Sequence, residues 1–483
     1  MSQLGSSSVS SLATRAIICT VYSVYFFLNL EKIQGLFDPL IELPPSGVFS
    51  NIPRSRNVFY VNDYGAKGDG LEDDTKRANR EKFGKQMQHV LNYVKRSSPD
   101  IVILHCHHQA FQDVWKMACS STSRSKIVVP AGNFYLVRPI DFTGPCRSKV
   151  TLRISGTIVA PEDPDVWDGL DPHKWLFFHR VKHLTVEGGG IVNGMGSEWW
   201  ARSCKINVTN PCRHAPTAMT FHRCKDLRVR NLMMVNSQQM HIVFSHCIRV
   251  AVSRLRVLAP AESPNTDGIH ISASTRVEVR NSIIRTGDDC ISIVSNSSNI
   301  RIRKIDCGPG HGISIGSLGK SNSLDQVHDV TVVGASLSNT ENGVRIKTWQ
   351  GGSGFVSNIT FQDVWMENVS NPIIIDQYYC DSPFLCPNQT LAVSVKNIYF
   401  KKIKGTSATE EAIMFACSDT SPCESLYLED IQLVPSYSVE VTESFCWQAR
   451  GSSSGLIYPP PCFSCGESFI EQKVSASSDF ASR

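Results

Sequence analysis

An all-β fold, a parallel β-helix, is what this sequence predicts, and three features of the stretch beyond residue 150 predict it. Helical periodicity is scarce there. Short pairs of alternating apolar residues recur instead: Leu152/Ile154, Leu184/Val186, Leu227/Val229, Val250/Val252, Val277/Val279, Ile300/Ile302, Val330/Val332, Ile359/Phe361, Ile398/Phe400 and Leu426/Leu428. Between Leu227 and Ile359 the steps are 23, 27, 23, 30 and 29 residues. Steps of that irregular length, carrying β-branched residues and Asn/Gly turns, are those of stacked coils. A sandwich or barrel would show turn signals every ~8–12 residues and no such period. Each coil adds one rung to a parallel sheet, about 4.8 Å from the next, so residues of equal phase line one face.

The elements follow in order. Residues 1–30 end in an apolar run from Ala16 to Leu30. Its fifteen residues fall short of a bilayer span of about 20 and read as a signal peptide or signal anchor. Residues 31–56 form a linker, and 57–465 hold the solenoid. The stretch from Asn57 to Val137 is the first coil and an N-terminal cap, because an open solenoid end displays unpaired strand edges. From Ser436 onward, Pro459, Pro460, Pro461, Cys446, Cys462 and Cys465 mark a C-terminal cap, and the Ser-rich tail 466–483 is disordered.

Composition narrows the class. With 483 residues, 41% hydrophobic and 19% charged, the chain is no disordered polymer. A net charge of +4 is too small for an obligate nucleic-acid binder, yet it suits an anionic ligand met at a local basic patch. Seventeen cysteines, not spaced like zinc ribbons, point to an oxidising compartment. Five glycosylation sequons, at Asn207, Asn296, Asn358, Asn368 and Asn388, agree with a secreted protein. No membrane contact beyond the N-terminal signal, no nucleic acid and a monomeric state are expected.

The chemistry gathers in four segments of like pattern. Thr266-Asp267-Gly268-Ile269-His270-Ile271, Asp288-Asp289-Cys290-Ile291-Ser292-Ile293 and Gly310-His311-Gly312-Ile313-Ser314-Ile315 each precede an Ile-x-Ile strand with a polar residue two positions earlier. Asp267 to Asp289 is 22 residues, and Asp289 to His311 is 22 again. Equal offsets from inward isoleucines mean equal phase, so Asp267, Asp289 and His311 stack on consecutive rungs with Asp288 beside them. In Gly343-Val344-Arg345-Ile346-Lys347, the two cations alternate with inward Val344 and Ile346 and point outward one rung further on. Crowded carboxyls cannot all ionise freely, so at least one keeps its proton near neutrality. A protonated acid beside an ionised one is what glycosidic cleavage requires. Arg345 and Lys347 would meet substrate carboxylates. Taken singly, each aspartate reads as a turn former and the cations as a solvated strand face. It is the shared phase that favours a site. Clustered aspartates also bind calcium, but His311, Arg345 and Lys347 reduce the negative charge a dication needs.

Taken in order, Asn265-Thr266-Asp267, Gly287-Asp288-Asp289, Gly310-His311-Gly312 and Arg345-Ile346-Lys347 resemble the polygalacturonases of glycoside hydrolase family 28, in particular plant ones. The resemblance extends from Tyr64-Gly65-Ala66-Lys67-Gly68-Asp69-Gly70 to Pro459-Pro460-Pro461-Cys462. It implies a right-handed, single-stranded parallel β-helix of the pectin lyase type with an N-terminal helical cap. It also implies inverting hydrolysis of α-1,4 bonds in pectic galacturonan without metal or organic cofactor. By position, Asp288 is the general acid, Asp267 and Asp289 hold and activate water, and His311 tunes the acids. Arg345, Lys347, Tyr379 and Asn265 bind substrate. Internal cleavage in the cell wall is expected. The alternatives are exo action, a xylogalacturonan or rhamnogalacturonan hydrolase, eliminative cleavage commonly with calcium, or a non-catalytic wall-binding solenoid. Partly through the same resemblance, cysteine pairs are expected at 119/146, 290/307, 380/386 and 417/423.

One departure is visible. The family runs from Asp-Asp-Thr straight into a helix of the type Ala-Phe-x-x-x-Trp. Here Asp73-Asp74-Thr75 is separated from Ala110-Phe111-Gln112-Asp113-Val114-Trp115 by the 34 residues 76–109. This is either a mispredicted coding stretch or a tolerated insertion in the cap, and a transcript lacking codons 76–109 would establish the first. An insert that displaced the cap helix would impair folding more than catalysis. Its His105-Cys106-His107-His108 run is a poor metal site, since adjacent residues rarely converge on one ion.

Overall fold

The structure, a computed structural model, describes residues 57–73, 77–78, 107–108, 110–382, 385–437 and 439–463. The expected signal segment, linker and tail, and most of the insert, lie outside the described residues. Among the described residues two sheets, of seventeen and eleven strands, run the length of the solenoid with parallel pairing; with the right-handed crossover that parallel strands take, the fold is a right-handed parallel β-helix. A coil contributes one short strand to the smaller sheet, such as Ile269–Ser272, and one long strand to the larger, such as Thr275–Arg285.

The apolar pairs are the rungs of the larger sheet. Leu227 lies against Val250, Val250 against Val277, Val277 against Ile300, and the register continues through Val330, Ile359, Ile398 and Leu426. Only the first expected pair is misplaced: Val186 faces Leu152, so Val150/Leu152 rather than Leu152/Ile154 is the matching rung. Each long strand bends where one residue adopts left-handed backbone, Asn231, Arg254, Asn281 and Lys304 on four successive rungs (φ 50–54°). Asn tolerates that region because its short amide bonds locally. Inside, like side chains stack: Phe178 on Phe221 at 4.9 Å and Phe221 on Phe244 at 5.4 Å, giving way to isoleucines behind Asp267 and its neighbours.

The N-terminal end is closed by the helix Ala110–Ser120, whose Phe111, Val114, Trp115 and Ala118 are buried. Trp115 packs on Phe142 at 5.2 Å and donates its indole N–H to the Thr143 carbonyl. The insert therefore does not displace this helix. Its two arms meet as a short antiparallel pair, Arg77–Ala78 with His107–His108, so the chain departs and returns at one place. The C-terminal expectation needs correction. The segment after Ser436 holds one more coil, Glu443–Trp447 and Ala449–Tyr458, paired in parallel with the coil before it. Its apolar alternation is weak because the long strand is mostly exposed, which hid it from a pattern search.

Among the described residues six disulfides form, and they include the four expected pairs. Cys204–Cys212 and Cys446–Cys462 are additional, and Cys224 and Cys247 are buried free thiols. Among the described residues no helix is long and apolar enough to cross a membrane.

Candidate active site

Loops ahead of three successive short strands, together with the outward face of those strands and of the next, Asn342–Thr348, build the site. Inward Ile269, Ile291, Ile313 and Val344 are in register, which places Asp267, Asp289 and His311 at one phase. The loops are tied together: Thr266 Oγ1 accepts the Gly287 N–H at 3.0 Å. Glycine is required at 287, because a Cβ there would lie 2.1 Å from the Ser263 carbonyl oxygen.

The three carboxyls meet different surroundings. Asp289 is 2% exposed. Its Oδ1 accepts from Arg345 Nη2 at 2.9 Å and Ser314 Oγ at 2.7 Å, and its Oδ2 from Lys347 Nζ at 2.9 Å. Burial alone would raise its pKa, but the two cations and the hydroxyl win and hold it at about 2. Asp267, also buried, has no such cation. Burial, then the neighbouring Asp288 charge, pushes its pKa up against the opposing pull of His270, whose Nδ1 is 3.7 Å from its Oδ2; Ser292 donates to that oxygen at 2.7 Å. Asp288 is the more open of the three. Its Oδ1 accepts the Asp289 backbone N–H at 2.7 Å and lies 3.2 Å from His311 Nδ1, while Asn265 Nδ2 donates to its Oδ2 at 3.4 Å. His311 Nε2 reaches Glu341 Oε2 at 3.2 Å. Burial alone would lower the imidazole pKa, yet the hydrogen bond and charge of Asp288 raise it.

The cations have partners within the site. Arg345 and Lys347 do lie on the outward strand face, but each is only 7% exposed and both are committed to Asp289. The carboxylate that holds them stands two rungs away on the same face. Tyr379 joins them, its ring 5.2 Å from Lys347 Nζ and 5.6 Å from the Trp349 ring, edge to face. All eight residues singled out in the sequence thus belong to one cluster.

Sequence reasoning missed three participants, and each had a signal. Ser292 and Ser314 occupy the same position of two Ile-Ser-Ile strands 22 residues apart, outward and in register. Glu341 stands three residues before inward Val344, the offset Asp288 has from Ile291. Asp376, beside Lys347 in register, has its pKa raised by burial to about 6.

Ligand atoms of Asp288, Asp289 and His311 approach within 4.8 Å of one another, as a metal site would need. Both Asp289 oxygens already face cations, and an imidazole is a poor ligand for calcium. The donor set suits proton sharing better than a hard dication.

Comparison with known proteins agrees with this geometry. The family model described as Glycosyl hydrolases family 28 matches residues 119–450. A probable polygalacturonase of Arabidopsis thaliana is 56% identical over 93% of this chain and 94% of its own length. A polygalacturonase of Malus domestica is 48% identical over 77% of this chain and 74% of its own. Among solved structures, an exopolygalacturonase from Thermotoga maritima superposes with a TM-score of 0.62 at 17% identity, covering 83% of this chain and 91% of its own. A polygalacturonase from Erwinia carotovora gives 0.59 at 20% identity, covering 70% and 93%. At such identities the structures speak for the fold alone.

Proposed function

The chain belongs to glycosyl hydrolases family 28, and from that membership we propose that it hydrolyses α-1,4-galacturonosidic bonds inside pectic polygalacturonan by one inverting displacement. It is a glycoside hydrolase. The observation that supports this reading best is that three neighbouring carboxyls meet unlike surroundings: Asp289 is pinned as an anion by two cations, Asp267 is buried with the raised proton affinity a base needs, and the more open Asp288 lies between an amide and an imidazole.

In this mechanism Asp288 gives its proton to the glycosidic oxygen as the C1–O bond breaks, and the leaving sugar departs as a neutral alcohol. Cationic His311 stabilises the carboxylate left behind. Water attacks C1 from the opposite face and loses its proton to a carboxylate, which inverts the anomeric centre. Asp267 is the stronger base of the remaining pair, since burial raises its proton affinity while Arg345 and Lys347 lower that of Asp289. Asp289 orients the water, and Arg345, Lys347, Tyr379 and Asn265 bind galacturonate. The disulfides among the described residues favour an oxidising compartment such as the cell wall, where the protein would work as a monomer.

De-esterified polygalacturonate tests the reading, with viscosity, reducing ends and ultraviolet absorbance followed together. Internal hydrolysis gives a fast viscosity drop with new reducing ends. A slow drop with monomer release makes the enzyme exo-acting, absorbance from an unsaturated uronide makes it a lyase, and no new ends refute catalysis.

The pH profile of kcat/KM should be a bell. Asp267 must lose its proton, so activity rises with pH through a folded-state pKa above the ordinary aspartate value of about 3.9. Asp288 must carry its proton as the acid and His311 must stay cationic, so activity falls, at the latest, as pH rises through the imidazole pKa, which lies above its ordinary value of about 6.5. An acid limb at or below the ordinary aspartate value would remove Asp267 from the role of base.

A further inference from the structure

The site uses the smaller sheet, while the larger sheet carries a charge asymmetry that catalysis does not employ. Four successive long strands, Lys225–Val235, Ile248–Leu258, Thr275–Arg285 and Ser297–Cys307, contain twelve Lys/Arg against three Asp/Glu. That local excess of nine stands in a chain whose net charge is only +4, so the remainder is acidic overall and the basicity is concentrated here. Of the three acids, Asp226 is bound to Arg249 and Asp306 lies 3.9 Å from Arg285. Arg254, Arg280, Arg301, Arg303 and Lys304 are exposed and make no ion pair among the described residues.

Register organises these charges. Arg280 and Arg303 are direct neighbours across the sheet, and Arg230 stands two rungs before Arg280. At the bends, Arg249, Arg254, Arg276 and Lys304 take left-handed backbone (φ 53–61°), where adjacent rungs use Asp226, Asn231, Asn281 and Asn299. Arg249 is held at its bend by Asp226, whereas Arg254, Arg276 and Lys304 make no ion pair among the described residues, so their presence at three bends asks for an external reason.

We propose that this basic face of the larger sheet is a second, non-catalytic binding surface for de-esterified galacturonan, and this rests on the pectic reading of the active site. Cations repeated at the rung spacing of about 4.8 Å, close to the length of one pyranose, can follow a chain of carboxylates. Arginine forks bind carboxylates in pairs of hydrogen bonds. The four strands contain no Phe, Tyr or Trp and a single exposed large hydrophobic, Ile248, so the surface lacks the stacking platform of a single-stranded nucleic-acid site and the aromatic anchors of a membrane-surface face. Holding the polymer on a separate face keeps the enzyme on its substrate between cuts.

The test uses the full chain carrying Asp288→Asn, so that polymer is bound but not cut, with and without Arg280→Gln/Arg303→Gln/Lys304→Gln. Binding to de-esterified polygalacturonate, fully methyl-esterified pectin, anionic phosphatidylserine vesicles and single-stranded DNA is measured across a salt series. The triple substitution should weaken polygalacturonate binding about tenfold at low salt and flatten its salt dependence. On the parent catalytic background it should leave turnover of an oligogalacturonide just long enough to fill the active site unchanged. Equal polygalacturonate affinity with and without the triple substitution would overturn the proposal. So would tighter binding to vesicles or DNA than to polygalacturonate. Absence of any cleavage by the parent would instead overturn the function reading, and the binding series would still stand as an independent result.

Discussion

Asp288→Asn should lower kcat on polygalacturonate by at least about 10² while leaving KM within a few-fold. The substitution keeps volume and one acceptor. An amide oxygen can still receive the Asp289 backbone N–H that Asp288 Oδ1 accepts at 2.7 Å, so the loop should stay in place. What is lost is the only proton positioned for the leaving oxygen, together with the carboxylate charge that His311 would stabilise as bond cleavage proceeds. Because both appear in the transition state and not in the bound ground state, the loss falls on kcat. His311 supplies a second readout. With no anion at 288, the charge that raises its pKa is largely removed, so the imidazole titration followed by NMR should move down. Full turnover in the variant would end the assignment of Asp288 as acid. Unchanged imidazole titration would show that Glu341, not Asp288, holds His311.

How much of this was legible beforehand depends on whether a feature repeats along the chain. Rungs repeat, so Leu227, Val250, Val277 and their successors announced the larger sheet, and equal 22-residue steps aligned Asp267, Asp289 and His311. Phase says which residues share a face, but it is silent on which of two neighbours a long side chain prefers. Arg345 could equally have projected toward a ligand; the carboxylate of Asp289 on the same face captures it, and that is an energetic outcome no spacing encodes. Glu341 was overlooked for a different reason: it shares the offset of Asp288 but lacks a repeated neighbour to draw attention. The last coil escaped because Gly451, Ser452, Ser453 and Ser454 carry no alternation, although the strand pairs in parallel with Cys423–Pro435. The basic face was spread over four strands, each unremarkable until register brought them together.

Asp289→Ala should be the most destabilising single change in the site, by about 3–5 kcal/mol, the usual consequence of leaving a buried charge without its partner. Here the change leaves two, since Arg345 and Lys347 both end on Asp289 and both are nearly excluded from water. The sign with pH follows from the depressed pKa. The ionised carboxylate contributes its full stabilisation above the unfolded value of about 3.9, and that contribution is lost as pH falls toward about 2. The gap between parent and Asp289→Ala in urea midpoints should therefore be widest near neutrality and close in acid. Asp289→Asn should cost less, because the amide oxygen still accepts one hydrogen bond. Relief of the orphaned charge distinguishes electrostatics from mere cavity formation. If unpaired cations are the cause, adding Lys347→Met to Asp289→Ala should recover stability, although Lys347→Met alone costs some. A double variant no more stable than Asp289→Ala would mean that lost packing, not charge, sets the penalty. The argument then extends to catalysis: a site that needs Asp289 as an anion has to bury two cations to keep it so, and those cations in turn need Asp289 to stay folded.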